Sequence, residues 1–187
     1  MSVREDSPAK VRQEKARDLA RRDILLAAAG VFARRGYAAA TLAELAQAAG
    51  FAAPSLYRYF ESKEELFRSL VELIKADLRA TFEAPVDGAR PLEERLAGLL
   101  ARQIELGRSR REIFAFLMTT PPRELGDEGA VVEYRAGASL YEEHMAAWMA
   151  RHVGSAELRC PHGQAARTLA AVAHAFHHAF ILSPTPG

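Results

Sequence analysis

Tyr57, Arg58 and Tyr59 stand side by side, with Ser55 just before them and Lys63 just after. These side chains are hydrogen-bond donors suited to oxygen anions and base edges. A phenol O–H on a rigid ring fits a phosphate oxygen. A guanidinium can bond guanine or phosphate, and a serine hydroxyl can donate to or accept from a base edge. Ala52 and Ala53 are small enough to let the backbone approach a groove closely. The same stretch is also compatible with a plain structural turn, in which the rings pack and the caps merely close helices.

A second set lies near the C-terminal end. His174, His177 and His178 are spaced by three and four residues, which places His174 on one helical face with either of the others. That is a metal-ligand spacing, suited to zinc, copper or haem, and Cys160 and His162 lie close in sequence. No H-E-x-x-H motif accompanies them, and residues 164–182 contain no carboxylate to act as a base. Polar pocket or interface histidines are therefore expected, with no resident metal or cofactor. Nothing visible lowers the pKa of Cys160 or supplies an oxyanion site, so no enzymatic activity is expected.

Any DNA- or ligand-binding set must be carried by a folded scaffold, and composition bounds its kind. The 187 residues are 49% hydrophobic and 26% charged, as in a globular protein. Net charge is only +1, but residues 1–35 hold nine basic against five acidic side chains. This favours an anionic partner at the N-terminal end. A single cysteine excludes an intramolecular disulfide and suits a reducing compartment. There is no apolar leader segment, and Leu169–Leu182 is too short to span a bilayer, so a soluble, cytoplasmic chain is expected.

Apolar residues recur with a period near 3.6, and sustained alternation is absent, which predicts an all-α chain. A basic arm over 1–17 precedes a helix from about Asp18 to Arg35, stopped by Gly36. Thr41 and Glu44 form a capping box that opens a short helix to about Ala48. Gly50 closes it, and a third short helix runs from about Ala53 to Tyr59 with Pro54 in its first turn. Ser62 and Glu65 form a second capping box. It opens a long helix to about residue 84, whose face carries Leu66, Leu70, Ile74, Leu78 and Phe82. Pro91 opens the next helix, with Leu92, Leu96, Leu99 and Leu100 inward. A shorter helix covers about Arg110 to Thr119. A seam of Tyr134, Ala138, Tyr141, Met145 and Trp148 predicts a helix over about 130–152, and the last helix spans about 164–182.

Two short helices joined by a few residues around Gly50 resemble a helix-turn-helix. Residues 24–67 resemble the N-terminal domain of TetR-family transcriptional regulators. The resemblance runs through Ile24, Ala28, Phe32, Gly36-Tyr37, Thr41, Leu45-Ala46, Ala49-Gly50, Leu56-Tyr57, Tyr59-Phe60, Ser62-Lys63 and Leu66. It implies an N-terminal three-helix DNA-binding domain over 18–65 and a helical ligand-binding and dimerisation domain over 66–187. It also implies a homodimer on a palindromic duplex operator, with a small-molecule effector. Carried over by position, Thr41, Tyr57, Tyr59 and Lys63 would contact phosphate. Ala52, Ala53, Pro54 and Ser55 would face bases, with Arg58 beside them, while Phe32, Leu45, Ala46, Leu56 and Phe60 would be core.

The sequence departs from the family pattern at two points. Ala52 stands where the family often has a Ser or Thr cap. Only one clear helix follows the 130–152 seam, where the family usually ends in two that pair across a dimer; a missing last helix is the expected reason. The family's effector cavity would here be lined by Phe114, Phe116, Met118, Tyr134, Tyr141, Met145, Trp148, Met149, His174 and His177. Simple core packing is the competing role for each. The aromatic and methionine content predicts a mostly apolar effector that releases a repressor from its operator. The alternatives are a metal- or haem-responsive regulator that uses the C-terminal histidines, or a helical ligand-binding module with little specific DNA binding.

Overall fold

The computed structural model describes residues 7–120, 125 and 128–182, with side chains at 130, 133–139, 176–178 and 180–182 left aside. Among these residues every long element is a helix and no strand occurs. Helix α1 spans Pro8–Arg35, α2 Leu42–Ala48, α3 Ala53–Leu56 and α4 Lys63–Glu83. They are followed by α5 Leu92–Ser109, α6 Arg111–Thr119, α7 Glu128–His152 and α8 His162–Leu182, with a 3-10 turn at Ser155–Glu157 between the last two.

The predicted elements recur with two corrections. First, α1 begins at Pro8, so most of the expected arm is helical. Proline in the first turn needs no N–H, and the Ala, Lys, Arg, Gln and Glu that follow are strong helix formers. Residues 7–19 are all exposed, so this half of α1 has no apolar face from which periodicity could be read. Second, α3 is a single turn, Ala53–Leu56, and does not continue to Tyr59. The N–H groups of Tyr59 and Phe60 both return to the Leu56 carbonyl, at 2.9 and 3.0 Å, and the chain turns instead of propagating the helix.

Two glycines make the turns possible. Gly36 ends α1 at φ 79° and ψ 157°, a region that side chains with a Cβ avoid. Gly50, at φ 76°, lets α2 stop and α3 start at a sharp angle.

The helices pack around two cores. The first takes Ile24, Ala28 and Phe32 from α1, Leu45 and Ala46 from α2, Leu56 and Phe60 around α3, Leu66, Phe67 and Leu70 from α4, and Phe116 from α6. Phe116 stacks on Phe32 at 5.1 Å between centroids and meets Phe67 edge-on at 5.9 Å. The second core gathers Phe82 of α4, Leu99 of α5, Met145, Trp148 and Met149 of α7, and Ala166 and Ala170 of α8. Thus α4 belongs to both cores, and its Leu78 packs against each. A rotation or tilt of α4 would be felt at both ends. No described helix is long and apolar enough to cross a membrane.

Candidate nucleic-acid interface

The short helices are held by local chemistry that the sequence prescribes. Thr41 caps α2: its Oγ1 accepts from the Glu44 N–H at 3.3 Å, while the Glu44 carboxylate accepts from the Thr41 N–H at 3.0 Å. Glu44 is also ion-paired with Arg35, which ties the start of α2 to the end of α1. The second cap is only half of the expected box. Ser62 Oγ accepts from the Glu65 N–H at 3.1 Å, but the Glu65 carboxylate turns to the N–H of Glu61, at 2.6 Å. Backbone N–H and the Ser62 hydroxyl at the start of α4 hold the Glu64 carboxyl below the usual range. Ala52 makes no side-chain cap on α3.

Leu56 and Phe60, each 1% exposed, anchor α3 to the first core. Their burial turns Ala52, Pro54, Tyr57 and Arg58 to solvent, and Tyr57 is 56% exposed. Ala53 and Ser55 are half-covered at the same edge. Tyr59 was expected to face outward beside Arg58. It is half-buried instead, with its ring edge-on to Phe51 at 5.6 Å between centroids. Once α3 ends at Leu56, the turn carries Tyr59 back towards the α2–α3 junction, and Tyr57 becomes the projecting phenol.

Lys63 has a role that sequence reasoning did not find. Its ammonium donates to the carbonyls of Tyr37, Ala38 and Ala40 at 2.9, 3.3 and 3.2 Å and lies 4.5 Å from the Tyr37 ring centroid. It thereby fastens the α1–α2 connection to the first turn of α4. Arg21 was missed altogether. Its guanidinium donates to the Tyr59 carbonyl, pairs with Glu65 at 3.5 Å and lies 4.2 Å from the Phe60 ring centroid. One cation thus fixes the C-terminal side of α3 to α1 and α4. The signal for both was a basic residue on a helix face otherwise turned to the core.

The expected effector set does not stay together. Phe116 lies in the first core and Phe114 packs partly against it, whereas Met145, Trp148 and Met149 are buried in the second with Tyr141 beside them. Met118 is partly covered and His174 is exposed. The side chains of Tyr134 and His177 fall outside the described residues. His162 bonds the Val153 carbonyl at 2.8 Å through Nε2, and Cys160 is exposed. A concavity of about 790 Å³ lies between α1 and α4, on the first unit, with Leu19, Leu25 and Leu73 among its walls.

Residues 24–70 match the family model of bacterial regulatory proteins of the tetR family. The HTH-type transcriptional repressor KstR2 of Mycobacterium tuberculosis is 41% identical over 86 residues, which is 46% of this chain and 42% of that protein. The chain therefore spans about two fifths of the length of this curated relative. Among solved structures, a Clostridium perfringens protein named for fatty acid metabolism regulation is similar over 84% of this chain and 85% of its own, with a TM-score of 0.66 and 26% identity. The fatty acid degradation regulator FadR of Bacillus halodurans shares the fold at a TM-score of 0.67 and 18% identity, over 86% of each chain. With its capped α2, its Gly50 turn and its buried α3 anchors, the chain belongs, through its N-terminal domain, to the tetR family of bacterial regulatory proteins.

Proposed function

We propose that the protein is a sequence-specific DNA-binding transcriptional repressor, acting as a homodimer on a near-palindromic operator and released by a small molecule. The observation that carries this reading is the solvent-facing edge of α3. Tyr57 and Arg58 project from a single turn whose inner side is pinned by Leu56 and Phe60. A rigid mount for a short edge of donors is what entry into a major groove requires. The naming of the KstR2 relative as a transcriptional repressor supports it.

On this reading α3 lies in the groove, with Ala52, Ala53, Pro54 and Ser55 towards base edges and Arg58 on guanine or phosphate. Thr41 at the α2 cap and Tyr57 meet phosphate oxygens. Tyr59, through its edge contact with Phe51, acts first to set the pose of the turn. Lys63 contributes positive charge near the backbone while holding its three carbonyls. A homodimer would place two such edges in successive major grooves, about one helical turn apart. An effector that binds the second unit in one pose of α4 more tightly than in the other would shift the spacing of the two edges. Phe82, Met145 and Met149 favour an apolar body for that effector. The Clostridium perfringens relative named for fatty acid metabolism regulation points to the same class.

The test is selection of genomic DNA fragments by the purified protein at physiological salt, followed by sequencing. Enrichment of one palindromic site is expected. Uniform recovery of all duplexes with a common salt dependence would leave only nonspecific binding and refute the reading.

A further inference from the structure

Among the described residues, five buried side-chain atoms have no hydrogen-bond partner: Arg95 Nε, Arg102 Nη2, Gln103 Nε2, His144 Nε2 and Trp148 Nε1. All of them belong to α5 or α7, and none lies in the first core. Two contacts show how these helices are registered. Arg95 donates to the His152 carbonyl, and the Tyr141 hydroxyl donates to Gln103 Oε1 at 2.5 Å. The helices therefore run antiparallel here. Eight residues separate Arg95 from Gln103, so the two contacts are about 12 Å apart at 1.5 Å per residue. Phe82 of α4 flanks the strip, with its ring 5.5 Å from those of Tyr141 and His144.

The chemistry of the set is one-sided. Arginine, the amide nitrogen of glutamine and the indole N–H can only donate. Gln103 is 2% exposed and Trp148 0%, so bulk water does not serve them. Arg102 gives its Nε–H to the Thr81 carbonyl at 3.1 Å, and no described carboxylate pairs with it. Buried donors are nearly always answered, and an unanswered group calls for water, an ion or a ligand. A wholly apolar effector would leave every one of these donors unmet.

We propose that the effector carries a carboxylate, which the second unit accepts between α5 and α7 on Gln103 Nε2 and Trp148 Nε1, with Arg102 as its counter-charge. The apolar body lies against Met145, Met149 and Phe82. This rests on the reading that the second unit takes a small molecule, and it corrects the expectation of a mostly apolar one by giving it an acidic end.

Trp148 is the one tryptophan of the chain, so its emission reports on the site directly. The full-length protein is titrated with dodecanoate and with 1-dodecanol, which share a tail and differ in the head. The expected result is a shift of Trp148 emission with dodecanoate at least about tenfold tighter than with the alcohol. Arg102→Met should weaken dodecanoate by about tenfold and leave the alcohol unchanged. Gln103→Glu keeps the side-chain volume and should weaken the acid further, by placing a like charge beside it. Unaltered helical circular dichroism checks that both variants fold. Equal affinity for acid and alcohol would overturn the carboxylate assignment while leaving an apolar effector standing. No emission change with either compound, in a folded protein that still binds its selected DNA, would remove both.

Discussion

In the first core, the charged groups drawn inward answer the backbone. Lys63 satisfies three carbonyls of the α1–α2 connection, and Arg21 reaches the Tyr59 carbonyl while lying on the Phe60 ring. In the second core, buried donors outnumber their acceptors, and Gln103, Arg102 and Trp148 each keep an unanswered N–H. The two regions share a helix and an apolar composition but solve opposite problems. The first must present Tyr57 and Arg58 in one fixed pose, and closed polar contacts give it that rigidity. The second is left open to something outside the chain, at a cost of about 1–3 kcal/mol for each unmet group. A signal entering there can act on the first unit through α4, which Leu78 packs into both.

This contrast can be broken most sharply by Phe60→Ala. Removing the buried ring should destabilise the protein by about 3–5 kcal/mol in urea unfolding, because α3 loses its anchor. In the second core the paired change Gln103→Leu with Tyr141→Phe removes a buried amide and its hydroxyl together. It should leave stability unchanged or raise it, and a loss as large as that of Phe60→Ala would erase the distinction between the regions.

Lys63→Met comes next. With three carbonyls losing their donor, a loss of about 1–3 kcal/mol is expected in thermal unfolding without DNA. An unaltered melting temperature would make Lys63 a DNA contact alone. Thr41→Ala should cost about 1 kcal/mol through the α2 cap, read in the same melt.

The smallest effect concerns pH. Burial is the first cause that lowers the pKa of both His144 and His152 below the ordinary 6.5. The folded form then binds fewer protons than the unfolded one, so stability falls as pH drops through 6.5 and levels off below the folded values. His144→Phe should flatten part of that decline when melts at about pH 7.5 and about pH 5.5 are compared. An identical pH response in the variant would remove His144 from the explanation.

Much of the first unit was legible because apolar spacing and burial coincide there. Phe32, Leu45, Ala46, Leu56 and Phe60 were read as core and are at most 1% exposed. The caps and the two turn glycines were legible for a local reason, since each acts within a few residues of itself. The first half of α1 escaped because it buries nothing. Tyr59 was misplaced because its orientation depends on where α3 stops, a one-residue matter with large angular consequences. Lys63 and Arg21 act across 23 and 38 residues of chain, a range that local patterns do not encode. On α5 the leucines drew attention to Leu92, Leu96 and Leu100, which are only partly covered. The buried face is Arg95, Leu99 and Gln103, equally regular in spacing but polar at two of its three positions.

The edge of α3 is tested most directly by comparing affinities for the selected duplex and a scrambled one, for the native protein and for Arg58→Ala. The expected result is a native preference of at least about a thousandfold, with Arg58→Ala weakening the selected duplex by about tenfold or more. Equal native affinity for the two duplexes, unaltered by Arg58→Ala, would contradict the assignment of this edge to DNA.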